Sequence, residues 1–264
     1  MSGAERIEAA LRAATGSGRL GFVPFLVAGD PDLGRTARYA GALARAGADV
    51  LELGVPFSDP LADGPTIQRA TERALASGTD LAAVLRALPA IRAAAAVPIV
   101  LFGYANPFLR YGVERFVADA AAAGADGVLV TDLPPEEAAP LREPCRARGL
   151  ATVFLAAPTS THARLASVCS AASGFVYLVS RAGVTGARTD LAEGVRALVG
   201  RVRAHTSLPI AVGFGVSRPE HVTALRGAAD AFVVGSALVD RVGAGADERE
   251  IESLARSLVE AGRG

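Results

Sequence analysis

Apolar positions along the chain follow two periods in turn. Near the start, Ile7, Ala10, Leu11 and Ala14 recur at helical spacing and predict an amphipathic helix over residues 5–14. A continuous apolar run at 20–27 reads as a strand, ended by Gly29-Asp30-Pro31-Asp32, and Asp32 is placed to cap a helix over 33–46. Further strands are predicted at 49–55, 98–104, 127–131, 151–156, 175–179, 208–212 and 231–234. Between them the 3.6-residue period predicts helices at 66–76, 81–95, 113–123, 136–148, 161–172, 191–204 and 218–226. A short helix at 237–241 and a last one with Ile251, Leu254 and Leu258 on one face complete the series. Residues 105–107 and 132–135 read as turns, the second placing Pro at a helix start.

Eight strands, each followed by helical material, imply a parallel sheet, and eight such units in 264 residues imply a closed (β/α)8 TIM barrel with an N-terminal capping helix. The motifs Ala46-Gly47-Ala48-Asp49, Ala123-Gly124-Ala125-Asp126 and Ala228-Ala229-Asp230 recur at helix-to-strand joints, the glycines supplying the helix stop. No linker or low-complexity tail interrupts the pattern, so one domain over residues 1–264 is expected.

The second strand departs from plain core. Strand parity puts Val50, Glu52 and Gly54 on one face and Leu51, Leu53 and Val55 on the other. A Glu within a buried strand is costly unless it is paired or used, so Glu52 is either a partner for an Arg, a loop cap, or a chemical group. The breakers Pro56, Pro60, Gly64 and Pro65 then force a loop that carries Asp59 and Asp63.

Composition narrows the function classes. The formal charge is zero, which offers no electrostatic case for nucleic acid or an anionic membrane. No apolar run approaches the roughly 18 residues of a membrane span, and the N-terminal residues lack the basic-then-apolar order of a signal peptide, so a cytoplasmic location is expected. Cys145 and Cys169 have no metal-ligand spacing, and the three histidines stand apart, so no metal is expected. All 27 basic residues are Arg. Without Lys, side-chain Schiff-base chemistry and a Walker-type phosphate loop are both excluded.

In such barrels chemistry sits at the C-terminal strand ends. The chain offers Asp30, Glu52, Asp59, Asp63, Tyr104, Asn106, Asp132, Tyr177, Ser180, Arg181 and Thr185 there. Three late loops carry glycines: Gly183 and Gly186, Gly213 and Gly215, and Gly235 followed by Ser236. Backbone amides at such loops, with a helix N-terminus, make a phosphate site, and Gly lets the backbone approach the anion. A small phosphorylated substrate facing carboxylates suits proton transfer or carbon–carbon cleavage, with the electron sink in the substrate itself.

The stretch Glu52-Leu53-Gly54-Val55-Pro56-Phe57-Ser58-Asp59-Pro60-Leu61-Ala62-Asp63-Gly64-Pro65-Thr66-Ile67-Gln68 resembles the signature of the tryptophan synthase alpha subunit family. So do Val23-Pro24-Phe25, Ala28-Gly29-Asp30-Pro31, Asp132-Leu133-Pro134, Ser180-Arg181-Ala182-Gly183-Val184-Thr185-Gly186, Gly213-Phe214-Gly215-Val216 and Val234-Gly235-Ser236-Ala237, in order over almost the whole chain. The resemblance implies retro-aldol cleavage of indole-3-glycerol phosphate to indole and glyceraldehyde 3-phosphate. It implies Glu52 as general acid–base and Asp63 as partner of the ring N–H. Phe25, Leu129 and Phe214 are expected on the indole, Tyr177 beside Glu52, Tyr104 among the substrate-binding residues, Thr185 meeting Asp63 on loop closure, and Gly186, Gly215, Gly235 and Ser236 on the phosphate. Asp59 and Pro60 are expected to face a beta subunit in an alpha2beta2 complex, which receives the indole. Pyridoxal phosphate is expected only in that partner, and no cofactor in this chain. Ala105 stands where many members carry a second Tyr, and Thr131 where Pro is frequent before Asp132, which leaves the usual substrate and a substituted indole both open.

Three other readings share parts of this pattern. A stand-alone lyase releasing free indole needs the same two carboxylates. A sugar-phosphate isomerase would want a carboxylate after the fifth strand, where Ala156-Ala157-Pro158 stands. A non-catalytic ligand-binding barrel would have no use for Glu52 and Asp63 together.

Overall fold

The computed structural model describes residues 1–179, 188–213 and 215–264, with backbone only for 188–193. Helix α1 (Gly3–Gly16) precedes β1 (Gly21–Val27), α2 (Leu33–Ala46) and β2 (Leu51–Gly54). Then come α3 (Pro65–Ala76), α4 (Leu81–Ala94), β3 (Ile99–Gly103), α5 (Ala105–Tyr111), α6 (Val113–Ala123) and β4 (Gly127–Val130). The second half runs α7 (Ala139–Ala147), β5 (Ala151–Ala156), α8 (His162–Ala171), β6 (Val176–Val179), α9 (Arg188–Arg203) and β7 (Ile210–Gly213). It ends with α10 (Pro219–Thr223), β8 (Ala231–Val234), α11 (Ser236–Gly243) and α12 (Glu248–Ala261). The strands close in sequence order into an eight-stranded parallel barrel, β8 pairing with β1.

Strand parity divides the core into two layers. Leu51, Leu53 and Val55 of the β2 segment face outward into the strand–helix layer with Leu26, Leu101, Leu178 and Phe232. Val50 points into the barrel with Val23, Val100, Leu129, Val153 and Phe175, and Ile7 and Leu11 of α1 plug its lower end. Both plug residues are fully buried, each contributing about 1.5–3 kcal/mol by leaving water.

Local signals explain most boundaries. Ser2 and Glu5 form a capping box on α1, and Asp32 accepts the Arg35 amide to start α2. Gly47, at φ 106°, stops α2 in the left-handed region that a Cβ would strain.

Three boundaries differ from expectation. Residues 105–107 open a helix: Tyr104 is its N-cap, Pro107 lies in the first turn where its missing N–H costs nothing, and Asp132 accepts the Ala105 amide at 2.7 Å. Helix α7 starts at Ala139 because residues 134–138 are used in tight turns, Glu137 bonding back to Pro134 and Ala138 to Pro135. Helix α10 ends at Thr223, and i→i+3 bonds continue the chain through Leu225 and Arg226.

The recurring Asp residues clamp the lower rim. Asp49 accepts the Phe22 amide, Asp126 the Ile99 amide and Asp230 the Ile210 amide, each at 2.8 Å. Ser173 does the same for Thr152 at 2.9 Å. Each even strand is thus preceded by a side chain that holds an amide of the odd strand before it. Arginines neutralise the three carboxylates: Arg19 on Asp49, Arg6 and Arg92 on Asp126, and Arg203 on Asp230.

Candidate active site

Glu52 sits inside the barrel opposite Phe25 of β1 and Val100 of β3. It is fully buried, and among the described residues neither carboxyl oxygen has a hydrogen-bond partner. Burial without compensation pushes its pKa from an ordinary 4.5 to about 8, so the group is uncharged at neutral pH. Among the described residues, neither the Arg pairing nor the loop cap considered from the sequence holds it. One inward step further along β2, Gly54 leaves room for the Phe25 ring, which would lie 2.6 Å from a Cβ there. Phe25 meets Phe102 edge-on with centroids 5.2 Å apart.

Asp63 faces the same cavity from the loop after β2. Burial raises its pKa, and a hydrogen bond from Tyr104 opposes that rise. The Tyr104 hydroxyl donates to Asp63 Oδ2 at 3.0 Å and accepts the Ala62 amide at 3.0 Å. Tyr177, on β6, has its phenol raised well above 10 by burial and then by the neighbouring carboxylates of Glu52 and Asp63. Its hydroxyl lies over Gly213, where a Cβ would be 2.6 Å away.

The opposite wall is backbone. Gly213, Gly215, Val216, Ser217, Gly235, Ser236 and Ala237 line a cavity of about 200 Å³ together with Glu52, Asp63 and Tyr177. Gly215 holds φ at 65°, and Gly235 is the N-cap of α11 with no side chain over the first turn. Free amides at a helix start and glycine-lined loops form an anion cradle. A buried acid, a second carboxylate and an anion cradle therefore share one cleft.

Of the residues singled out from the sequence, Phe25, Glu52, Asp63, Tyr177, Gly213, Gly215, Gly235 and Ser236 meet there. Tyr104 touches Asp63 rather than the cavity, and Leu129 lies in the barrel interior rather than the cavity lining. Asp59 is exposed and Pro60 partly so, next to Leu61 at 93% exposure. Thr185, Gly186 and Phe214 lie outside the described residues. Ile67, Phe102 and Val233 complete the apolar wall. Nothing in their spacing separates them from ordinary core, although Phe102 and Val233 share the inward parity of their strands. Among the described residues no group of three or more His, Cys, Asp or Glu is placed to hold a metal ion, and no single helix is long and apolar enough to cross a membrane.

The sequence model of the family described as Tryptophan synthase alpha chain matches residues 11–262. The tryptophan synthase alpha chain of Solibacter usitatus is 52% identical over 244 residues, 91% of either chain. That of Burkholderia multivorans is 48% identical over 256 residues, 97% of this chain and 94% of the other. Among solved structures, tryptophan synthase from Mycobacterium tuberculosis aligns with a TM-score of 0.90 at 38% identity, covering 98% of both chains. Tryptophan synthase subunit alpha from Legionella pneumophila aligns at 0.89 and 35% identity, covering 99% of this chain and 98% of that one.

Proposed function

Since the chain belongs to the tryptophan synthase alpha chain family, we propose that this lyase of tryptophan biosynthesis cleaves indole-3-glycerol phosphate by general acid–base catalysis, without a metal. The observation that carries the mechanism is Glu52, a buried carboxyl with no partner among the described residues, lining the cavity that also holds the anion cradle. An acid with a pKa near the working pH transfers protons in both directions.

The uncharged Glu52 protonates the ring carbon that bears the glycerol chain. Positive charge then develops at the ring nitrogen, whose N–H donates to ionised Asp63. The Glu52 carboxylate next takes the proton from the side-chain hydroxyl nearest the ring. As that C–O becomes a carbonyl, the carbon–carbon bond breaks and its electron pair returns to the ring. Indole and glyceraldehyde 3-phosphate result, and Glu52 is again protonated. Gly215, Gly235 and Ser236 hold the phosphate, while Phe25, Phe102 and Ile67 pack on the ring.

The chain carries this chemistry as one domain and passes indole to a beta subunit, which alone holds pyridoxal phosphate. The exposed loop at Asp59, Pro60 and Leu61 supports docking there, since a leucine 93% exposed gains most by being covered. The test is indole release from indole-3-glycerol phosphate by the purified chain, alone and with a beta subunit added. Weak release that rises strongly with the partner is expected. Full activity unmoved by the partner would mean a stand-alone lyase, and no release in either case would refute the assignment.

A further inference from the structure

Tyr104 was expected against the substrate, and its geometry gives it another task. It follows β3 directly as the N-cap of α5, and the residue is only 5% exposed. Asp132, just after β4, fixes this corner by accepting the Ala105 amide. The loop after β2 is folded onto the tyrosine at three points. The Ala62 amide donates to its oxygen, Asp63 Oδ2 accepts its proton, and the Phe57 ring packs on it with centroids 5.5 Å apart.

Asp63 has little else to orient it. Among the described residues the Tyr104 hydroxyl is the sole hydrogen-bond donor to its carboxylate, and Gln68 reaches only its backbone oxygen. A carboxylate on a loop whose flanking residues are exposed would otherwise rotate freely about its side-chain bonds. Among the described residues no donor engages Oδ1, and Asp63 lines the cavity.

Resting on the lyase reading above, we infer that Tyr104 is a positioning residue for the reaction: its hydroxyl ties Asp63 to the barrel frame, aims the carboxylate at the ring nitrogen and favours its ionised form. The cation formed on ring protonation needs a negative partner already in place, because reorienting one during the step would add to the barrier. A hydroxyl that donates to a carboxylate favours the charged state. Among the described residues, the ionisable groups facing Asp63 are Tyr104 from just after β3, Glu52 from β2 and Tyr177 from β6. Glu52 must be protonated at the outset and Asp63 ionised, so the alkaline limb of kcat against pH belongs to Glu52 and the acid limb to Asp63.

The experiment compares full-length wild type and Tyr104→Phe in cleavage of indole-3-glycerol phosphate across pH. The variant should lose roughly tenfold in kcat, keep KM within about twofold, and show an acid limb about one pH unit higher. A purely structural role for the hydroxyl would lower the melting temperature and leave the limb where it was. If Tyr104→Phe does not fold, 3,5-difluorotyrosine introduced at position 104 keeps the shape and sharpens the donor, and the acid limb must then move downward. Wild-type cleavage with an acid limb unmoved by either change overturns the inference alone. A wild type that does not cleave overturns the lyase reading, and the inference with it.

Discussion

Glu52→Gln should abolish cleavage while making the protein more stable relative to wild type as pH rises. In the unfolded chain this carboxyl ionises near 4.5, whereas the folded protein retains its proton up to about 8. The native state therefore binds more protons than the unfolded state between these values, so its stability falls as pH rises through that window and levels off above it. Gln cannot ionise and escapes the loss. At about 1.4 kcal/mol per pH unit, the interval from 4.5 to about 8 sets a ceiling of about 5 kcal/mol. The corresponding difference is about 1 kcal/mol at pH 5 and about 3 kcal/mol at pH 7. Urea unfolding of both proteins at about pH 5, 7 and 9 reads it directly. Any offset from burying an amide is independent of pH and cancels from the trend. Parallel stability curves would show that Glu52 is not a buried uncharged acid, and cleavage at the wild-type rate by Glu52→Gln would remove it from the mechanism.

Asp63→Asn removes the negative charge opposite the ring nitrogen and should lower kcat on the order of a hundredfold, with KM little changed in steady-state assays. Gly213→Ala forces a methyl against the Tyr177 hydroxyl; it should cost about 1–3 kcal/mol in unfolding experiments and depress cleavage, and wild-type values for both would mean that Tyr177 is not confined there. Asp126→Asn breaks a fully buried clamp with two arginines and the Ile99 amide. It should cost about 3 kcal/mol with kcat unaltered in whatever fraction remains folded, because the clamp is at the end of the barrel away from the cleft.

How far the site could be read from sequence depended on whether each residue's role was set by its own strand or by a neighbour. The inward direction of Glu52 follows from parity within one strand, and the buried rows of Leu51 and Leu53 on the other face agree with it. Tyr104 meets Asp63 across 41 positions of sequence, and no local period reports that contact. The apolar wall was only partly legible. Leu129 and Phe102 are register partners on adjacent strands, yet one lies in the interior core and the other reaches the cavity. Hydrophobicity is the same in both cases and does not tell them apart. Helix α5 was hidden because Asn106-Pro107 reads as a breaker, whereas prolines are tolerated in the first turn of a helix. The recurring Asp49, Asp126 and Asp230 were recognisable as turn markers, but their hold on the preceding strand became visible only with the backbone in place, and Ser173 gave no signal at all.

Those rim clamps make the barrel four locked doublets: β1 with β2, β3 with β4, β5 with β6, and β7 with β8. Among the described residues, no side chain on the lower rim holds a strand amide across the seams between doublets, which are closed by backbone pairing and apolar packing. At the upper end one side chain does cross a seam, for Tyr104 of the second doublet reaches over it to Asp63 of the first. The cleft draws on every doublet: Phe25 and Glu52 from the first, Phe102 from the second, Tyr177 from the third, Gly213 and Gly235 from the fourth. No doublet contains a working site by itself. Catalytic competence is thereby a report on ring closure, and a seam that parts should silence the enzyme while every strand is still paired within its own doublet.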